Sequence, residues 1–193
     1  MGAPSAPKAA DNNFRFLARE ITLLSSIKNQ MIAKAITRFP SLAERFLAAY
    51  QPVRSEGVIP WSELGKPLRT CKMAVVTTAG VHHDDQQPFD MRDPDGDPSY
   101  RELDGTTIRS GFTITHDYYD HTDAERDLNI VLPLDRLDEL TAEGLLDSLS
   151  VRHFGFMGHI DGRHISTLVE TSAPEVARKL QKDQVDLVLL TPA

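Results

Sequence analysis

Two apolar runs constrain this chain more than any other feature. Met73-Ala-Val-Val-Thr-Thr-Ala-Gly80 and Val185-Asp-Leu-Val-Leu-Leu190 have the length of strands and almost no alternation. Such runs mark parallel strands buried on both faces. Parallel strands cannot be joined by tight turns, so helices must lie between them. Leu134, Leu137 and Leu140 mark one helix, capped near Asp135 and ended at Gly144. Ser172 or Thr171 caps another, with Pro174 near its first turn, running to about Asp183. Leu149–Arg152 reads as a further short strand, and Leu128–Pro133 as a short extended run. The implied fold class is α/β, an open and mostly parallel sheet, Rossmann-like but incomplete, with an N-terminal helical segment.

Three sections follow from the punctuation. Residues 1–11 read as a disordered tail, 12–57 as the N-terminal helical segment and 58–193 as the α/β domain. Within 12–39, Phe14, Leu17, Ile21, Leu24, Ile27, Met31, Ala35 and Phe39 step by three or four, and Pro40 stops the helix. Packing of that stripe on its own domain is the plain expectation, and a docking face the functional one. Ser41-Leu-Ala-Glu44 is a capping box opening a second helix to about Tyr50. Residues 51–70, with three prolines, are a connector, with one short turn expected around Pro60-Trp61. Residues 84–110 hold Pro88, Pro94, Pro98, Gly96 and Gly105 among many aspartates. That reads as a long insertion over the site.

The net charge of −7 argues against nucleic-acid and anionic-membrane partners. No apolar run approaches a membrane span. One cysteine, Cys71, fits a reducing cytoplasm and reads as structural.

The polar chemistry concentrates in 111–127. Phe112, Thr113, Ile114 and Thr115 alternate as a strand. His116, Asp117, Tyr118, Tyr119, Asp120, His121 and Asp123 follow at once, and Thr122-Asp-Ala-Glu125 is a capping box. In open α/β sheets the carboxyl ends of the strands face one crevice. That topology would gather His82, His83, His116, Asp117, His121, Asp123, His153 and His159. Two chemistries fit. A metal could sit on His116, His121 and Asp123, although the spacing matches no strong metal motif. Otherwise a histidine near neutrality, its tautomer set by an aspartate, does acid–base work beside a separate nucleophile. The bland alternative is that individual histidines are satisfied loop or core residues.

The order of motifs resembles a known family. Lys72–His82, Gln87-Pro-Phe-Asp90, Asp93-Pro-Asp-Gly-Asp97, Ser99-Tyr-Arg101, Thr115–Asp123, Phe156-Met-Gly-His159 and Val188-Leu-Leu-Thr-Pro192 resemble the selenoprotein B subunits of glycine, sarcosine, betaine and D-proline reductases. The resemblance covers about 58–193 and makes that section reductase-like. It implies reductive cleavage of a C–N bond in a small amino acid or N-methylated amino acid. A selenolate is the nucleophile, a dithiol the reductant, and a pyruvoyl group on a partner subunit activates the amine in the amino-acid reductases. His116, Asp117 and His121 are then the expected catalytic residues. His82, His83, Tyr118, His153 and His159 are the expected substrate-binding ones. No metal and no cofactor are expected in the chain itself, and an oligomer or complex is. The alternatives are the metal-dependent enzyme above and a non-catalytic small-molecule-binding remnant. The resemblance implies selenocysteine directly after Ala193, so the chain is expected to be a product shortened at a UGA codon and inactive alone.

Overall fold

The computed structural model describes residues 24–39, 41, 44 and 62–193. The strands are β1 (Lys72–Thr77), β2 (Val81–His83), β3 (Tyr100–Asp104), β4 (Phe112–Ile114), β5 (Ser148–Leu149), β6 (Arg152–Phe156) and β7 (Leu187–Thr191). The helices are α1 (24–38), α2 (Thr122–Arg126), α3 (Leu134–Ala142), α4 (His164–Thr167) and α5 (Ala173–Lys182).

The α/β expectation holds, with a mixed, mostly parallel sheet built around β1. One edge of β1 takes β7 in parallel, from Met73↔Leu187 to Thr77↔Thr191. The other edge takes β5 and then β6, both parallel. β6 carries β3 antiparallel on its far side. Where β5 gives way to β6, Val75 N–H donates not to a backbone carbonyl but to His153 Nδ1, at 2.9 Å. An unpaired buried amide is costly, so this imidazole completes the ladder.

Both faces of the sheet are covered. Met73, Val75, Leu103, Phe112, Leu132, Leu134, Leu137 and Leu146 pack as one core beneath α3. Phe154, Phe156 and Val176, with Leu168 and Leu180, pack as a second beneath α5. Burying each such side chain stabilises by roughly 1.5–3 kcal/mol, which is why the two apolar runs settle here.

Several expectations need correction. Val81-His-His83, whose histidines the topology rule sends to the crevice, is itself a strand. It is β2, paired antiparallel with β4 in a separate small sheet, so β4 lies outside the parallel sheet. The 84–110 insertion contains a strand, β3, whose Arg101, Glu102 and Asp104 obscured it. Leu128–Ile130 is a 3-10 turn rather than an extended run, with Asp127 accepting from Asn129 N. The short strand expected at Leu149–Arg152 falls instead on Arg152–Phe156, with Ser148–Leu149 as a separate two-residue strand. The last helix begins earlier than Ser172. α4 runs through a π turn, Leu168–Ser172, into α5. Thr122 does not cap α2; it bonds Asp120 instead. β7 is not buried on both faces. It pairs only with β1 among the described residues, and Leu190 is exposed.

The stripe on α1 also points the other way. Leu24, Ile27 and Met31 are exposed, while Ala33 is buried. Small Ala33 and amide-bearing Gln30 face the domain, because Gln30 finds a polar partner there. Of the second helix only Ser41 and Glu44 are described, and both are helical. The tail, the Pro40 stop and the Pro60-Trp61 turn lie outside the described residues. Among the described residues no helix is long and apolar enough to cross a membrane.

Candidate functional site

The carboxyl ends of β1 and β6 and the segment after β4 meet at one place. Gly80 N donates to Phe156 O at 2.8 Å, and Thr115 N to Gly80 O at 2.9 Å. Those bonds pull His116 over the end of β6, where it is 5% exposed. A side chain on Gly158 would stand 2.4 Å from Thr78 O and 3.4 Å from His116 Nε2. Glycine at this positive φ therefore lets three segments close together. β7 ends against the same group. Thr78 N donates to Thr191 O at 3.0 Å, and Ala193 N to Thr78 Oγ1 at 3.3 Å.

His116 has a defined tautomer. Its Nδ1 accepts from Tyr118 N at 3.1 Å, so a neutral ring carries its proton on Nε2, facing the Met157–Gly158 turn. Burial, followed by the charges of His121 and His159, pushes its pKa down to about 4. At neutral pH it is a hydrogen-bond donor through Nε2 and not an imidazolium. That alters the acid role expected of it.

Asp117 is 5% exposed. Its Oδ1 accepts from Gln30 Nε2 of α1 at 3.0 Å, whereas Oδ2 is buried without a partner among the described residues. Tyr118 lies beside His159, ring centroids 4.2 Å apart. His159 Nε2 donates to Pro94 O at 2.9 Å. The insertion is thus fastened beside the site. Its tip is closed by Gly96, whose positive φ and contact with His159 O admit no side chain. Asp93 pairs with Arg163 and, at 3.0 Å, with His164.

His121 stands behind Tyr119, whose ring centroid is 4.8 Å from that of His116 and 5.6 Å from that of His121. His121 Nδ1 lies 2.8 Å from Glu125 Oε1, at the distance though not the orientation of a hydrogen bond. A carboxylate there favours a proton on Nδ1. A cavity of about 210 Å³ opens beside the pair, walled by Gln30, Lys34, Tyr119 and Asp120 as well. Tyr119 OH donates to Ala79 O at 3.2 Å, and burial pushes its pKa up. Tyr119→Phe is expected to cost about 1 kcal/mol in urea unfolding, the usual net worth of one such bond.

The remaining expected residues are elsewhere. His82 is buried one layer back, between Thr115 Oγ1 at 2.8 Å and Phe89. His83 stacks on Phe112 and accepts from Asp104 N, beside a groove of about 600 Å³ at the other end of the sheet. His153 is the ladder histidine at that same end. Asp123 points outward and pairs with Arg126. No group of three His, Cys, Asp or Glu among the described residues is disposed to hold a metal ion, so His116, His121 and Asp123 are not brought together. Glu125 and Gln30 were missed. The i,i+4 spacing of His121 and Glu125 was the available signal. Gln30 gave none.

A mostly parallel sheet whose strand ends meet a wall of histidines and tyrosines defines an α/β protein. The chain belongs to the family described as glycine/sarcosine/betaine reductase selenoprotein B, whose family model matches residues 42–193. It is 34% identical over 142 residues to the D-proline reductase subunit gamma of Acetoanaerobium sticklandii, covering 74% of this chain and 56% of that one. It is 30% identical over 143 residues to the glycine reductase complex component B subunit gamma of Symbiobacterium thermophilum, covering 72% and 32%. The chain therefore spans about half the length of the first relative and a third of the second. No solved structure matches it. The family is one of reductase components.

Proposed function

We propose that this chain forms the substrate-side part of a selenoprotein B-type reductase component, working in a multi-subunit complex on a small amino acid or N-methylated amino acid. One C–N bond breaks, two electrons come from a dithiol, and the nitrogen departs with a proton as amine or ammonia. The observation that carries the reading is the meeting of His116, Asp117 and the end of β7 around Thr78 and Gly158, in a chain of this family. The relatives' names, a reductase subunit and a subunit of a reductase complex, support the complex and the reaction class.

The family's selenolate would supply a nucleophile that is ionised at neutral pH and leaves easily. Two features suit such a group near Thr78. Thr78 Oγ1 accepts from Ala193 N, and the neutral His116 beside Gly158 turns the proton on its Nε2 toward the Met157–Gly158 turn. A pyruvoyl group would come from a partner subunit. Within this chain, the free Oδ2 of Asp117 can accept from the N–H of the substrate amine. His121, with Glu125 at its Nδ1, is the better proton carrier, because burial keeps His116 neutral. Tyr118 and His159 wall the approach.

The test is ammonia or amine release by the full-length protein assembled with its partner subunits and dithiothreitol. Losing a positioned acid typically costs 10²–10⁴-fold, so His121→Ala and Glu125→Gln should lower kcat by about 100-fold with KM nearly unchanged. Wild-type rates in both variants would overturn the assignment. So would a stoichiometric zinc or iron that disappears in His116→Ala or His121→Ala.

A further inference from the structure

We infer that Gln30, on α1, is a positioning residue for Asp117, so that a helix outside the family-matched 42–193 completes the site. The inference rests on the reading of Asp117 given above. Its basis is a short polar relay. Gln30 Nε2 donates to Asp117 Oδ1 at 3.0 Å and to Ser26 Oγ at 3.4 Å, one turn back on the same helix. Facing the accepting Oδ1 of Asp117, the amide presents its nitrogen. Ser26 takes the amide's other hydrogen and holds the rotamer. Asp117 is 5% exposed, so the amide supplies what water would otherwise give.

The consequence lies in the other oxygen. With Oδ1 held by Gln30, Oδ2 is left buried and unpaired. A buried acceptor without a partner is costly, and sites keep such atoms for something that arrives. Without Gln30 the carboxylate can turn, and either oxygen can relax toward other donors. α1 is also fixed by its own contacts, since Ala33 is buried. The same helix lines the cavity beside His121 with Gln30 and Lys34. The family-matched region therefore brings the carboxylate, and the preceding helix brings the group that aims it.

Two variants test this in the full-length protein assembled with its partners. Small misplacements of a reacting group cost up to about 100-fold, so Gln30→Leu should lower kcat roughly 10- to 100-fold at every pH, with KM within about threefold. Gln30→Glu sets two carboxyls 3.0 Å apart; their repulsion drives them apart when both are ionised at high pH and raises the pKa of one, so that the pair shares a proton and re-forms the contact as the pH falls. Its activity should therefore recover as the pH is lowered toward 5, moving the optimum acidward, while Gln30→Leu does not recover. A merely structural role would not produce that divergence. A readout that needs no activity is the side-chain NMR titration of His116 in the 193-residue chain. Its midpoint, about 4 in the wild type, should move by about half a unit or more in Gln30→Leu, because the neighbouring carboxylate turns. Identical pH profiles for both variants, or an unmoved His116 titration, would overturn the inference. If Asp117→Asn leaves turnover intact while the His116 titration still responds to Gln30, the role of Asp117 fails and the relay stands.

Discussion

Acidifying the protein from pH 6.5 to pH 4 should remove about 6 kcal/mol of folding stability through two histidines alone. His116 and His153 are both buried, and burial pushes the pKa of each down to about 4 from 6.5. Over that window the unfolded chain binds two protons that the folded chain refuses. Stability therefore falls as the pH drops, in full above 6.5 and gone below about 4. Each histidine contributes roughly 3 kcal/mol by linkage. A domain with 5–15 kcal/mol in total would be close to unfolding at pH 4.5. Asp135, Asp183 and Asp186 behave differently. Hydrogen bonds from Asn129, Arg152 and Lys66 hold them below the ordinary carboxylate range, so their contributions fade only at still lower pH. Urea unfolding at a series of pH values measures the slope. His153→Asn should keep an acceptor for Val75 N–H and halve the slope. A flat profile between pH 7 and 4.5, or an unchanged slope in His153→Asn, contradicts the argument.

Gly158→Ala should destabilise by roughly 4 kcal/mol, combining strain at positive φ with overpacking against a backbone that cannot swing aside. The new Cβ would stand 2.4 Å from Thr78 O at φ +86°. Relief requires β1 and β6 to part at their carboxyl ends, where His116 rests. Gly144→Ala is the control. It has φ +73° and nothing within 4 Å of the added carbon, so it should cost only about 1 kcal/mol. Equal losses in the two variants would show that the closeness of Thr78 is unimportant.

Much of the frame was readable from pattern alone. β1 and β7 announce themselves as apolar runs, and α3 by its leucine spacing and Gly144. What escaped notice has physical reasons. β2 hides because buried His82 and half-buried His83 look polar, although each makes side-chain bonds on a strand. β3 hides because an antiparallel outer strand can carry Arg101, Glu102 and Asp104 at its surface-facing positions. His153 looks like a loop ligand because nothing local reveals that a ladder bond is missing 78 residues earlier. His116 and His159, which the topology rule sends to one crevice, both lie beside Tyr118. His83 fell to the wrong end because β2 runs away from the crevice. Gln30 could not have been found, since one glutamine on a helix carries no signal of what it faces.

The partnership of β1 with β7 sets a timetable for the chain's birth. Lys72 N bonds Asp186, 114 residues on, and the strands then pair along their whole length. Contacts so distant in sequence make folding slow. On a ribosome adding about 5–20 residues per second, β1 waits roughly 6–20 s for its neighbour to be made. For that interval Met73–Thr77 is a nascent apolar strand with one edge open, the state that chaperones recognise and aggregation exploits.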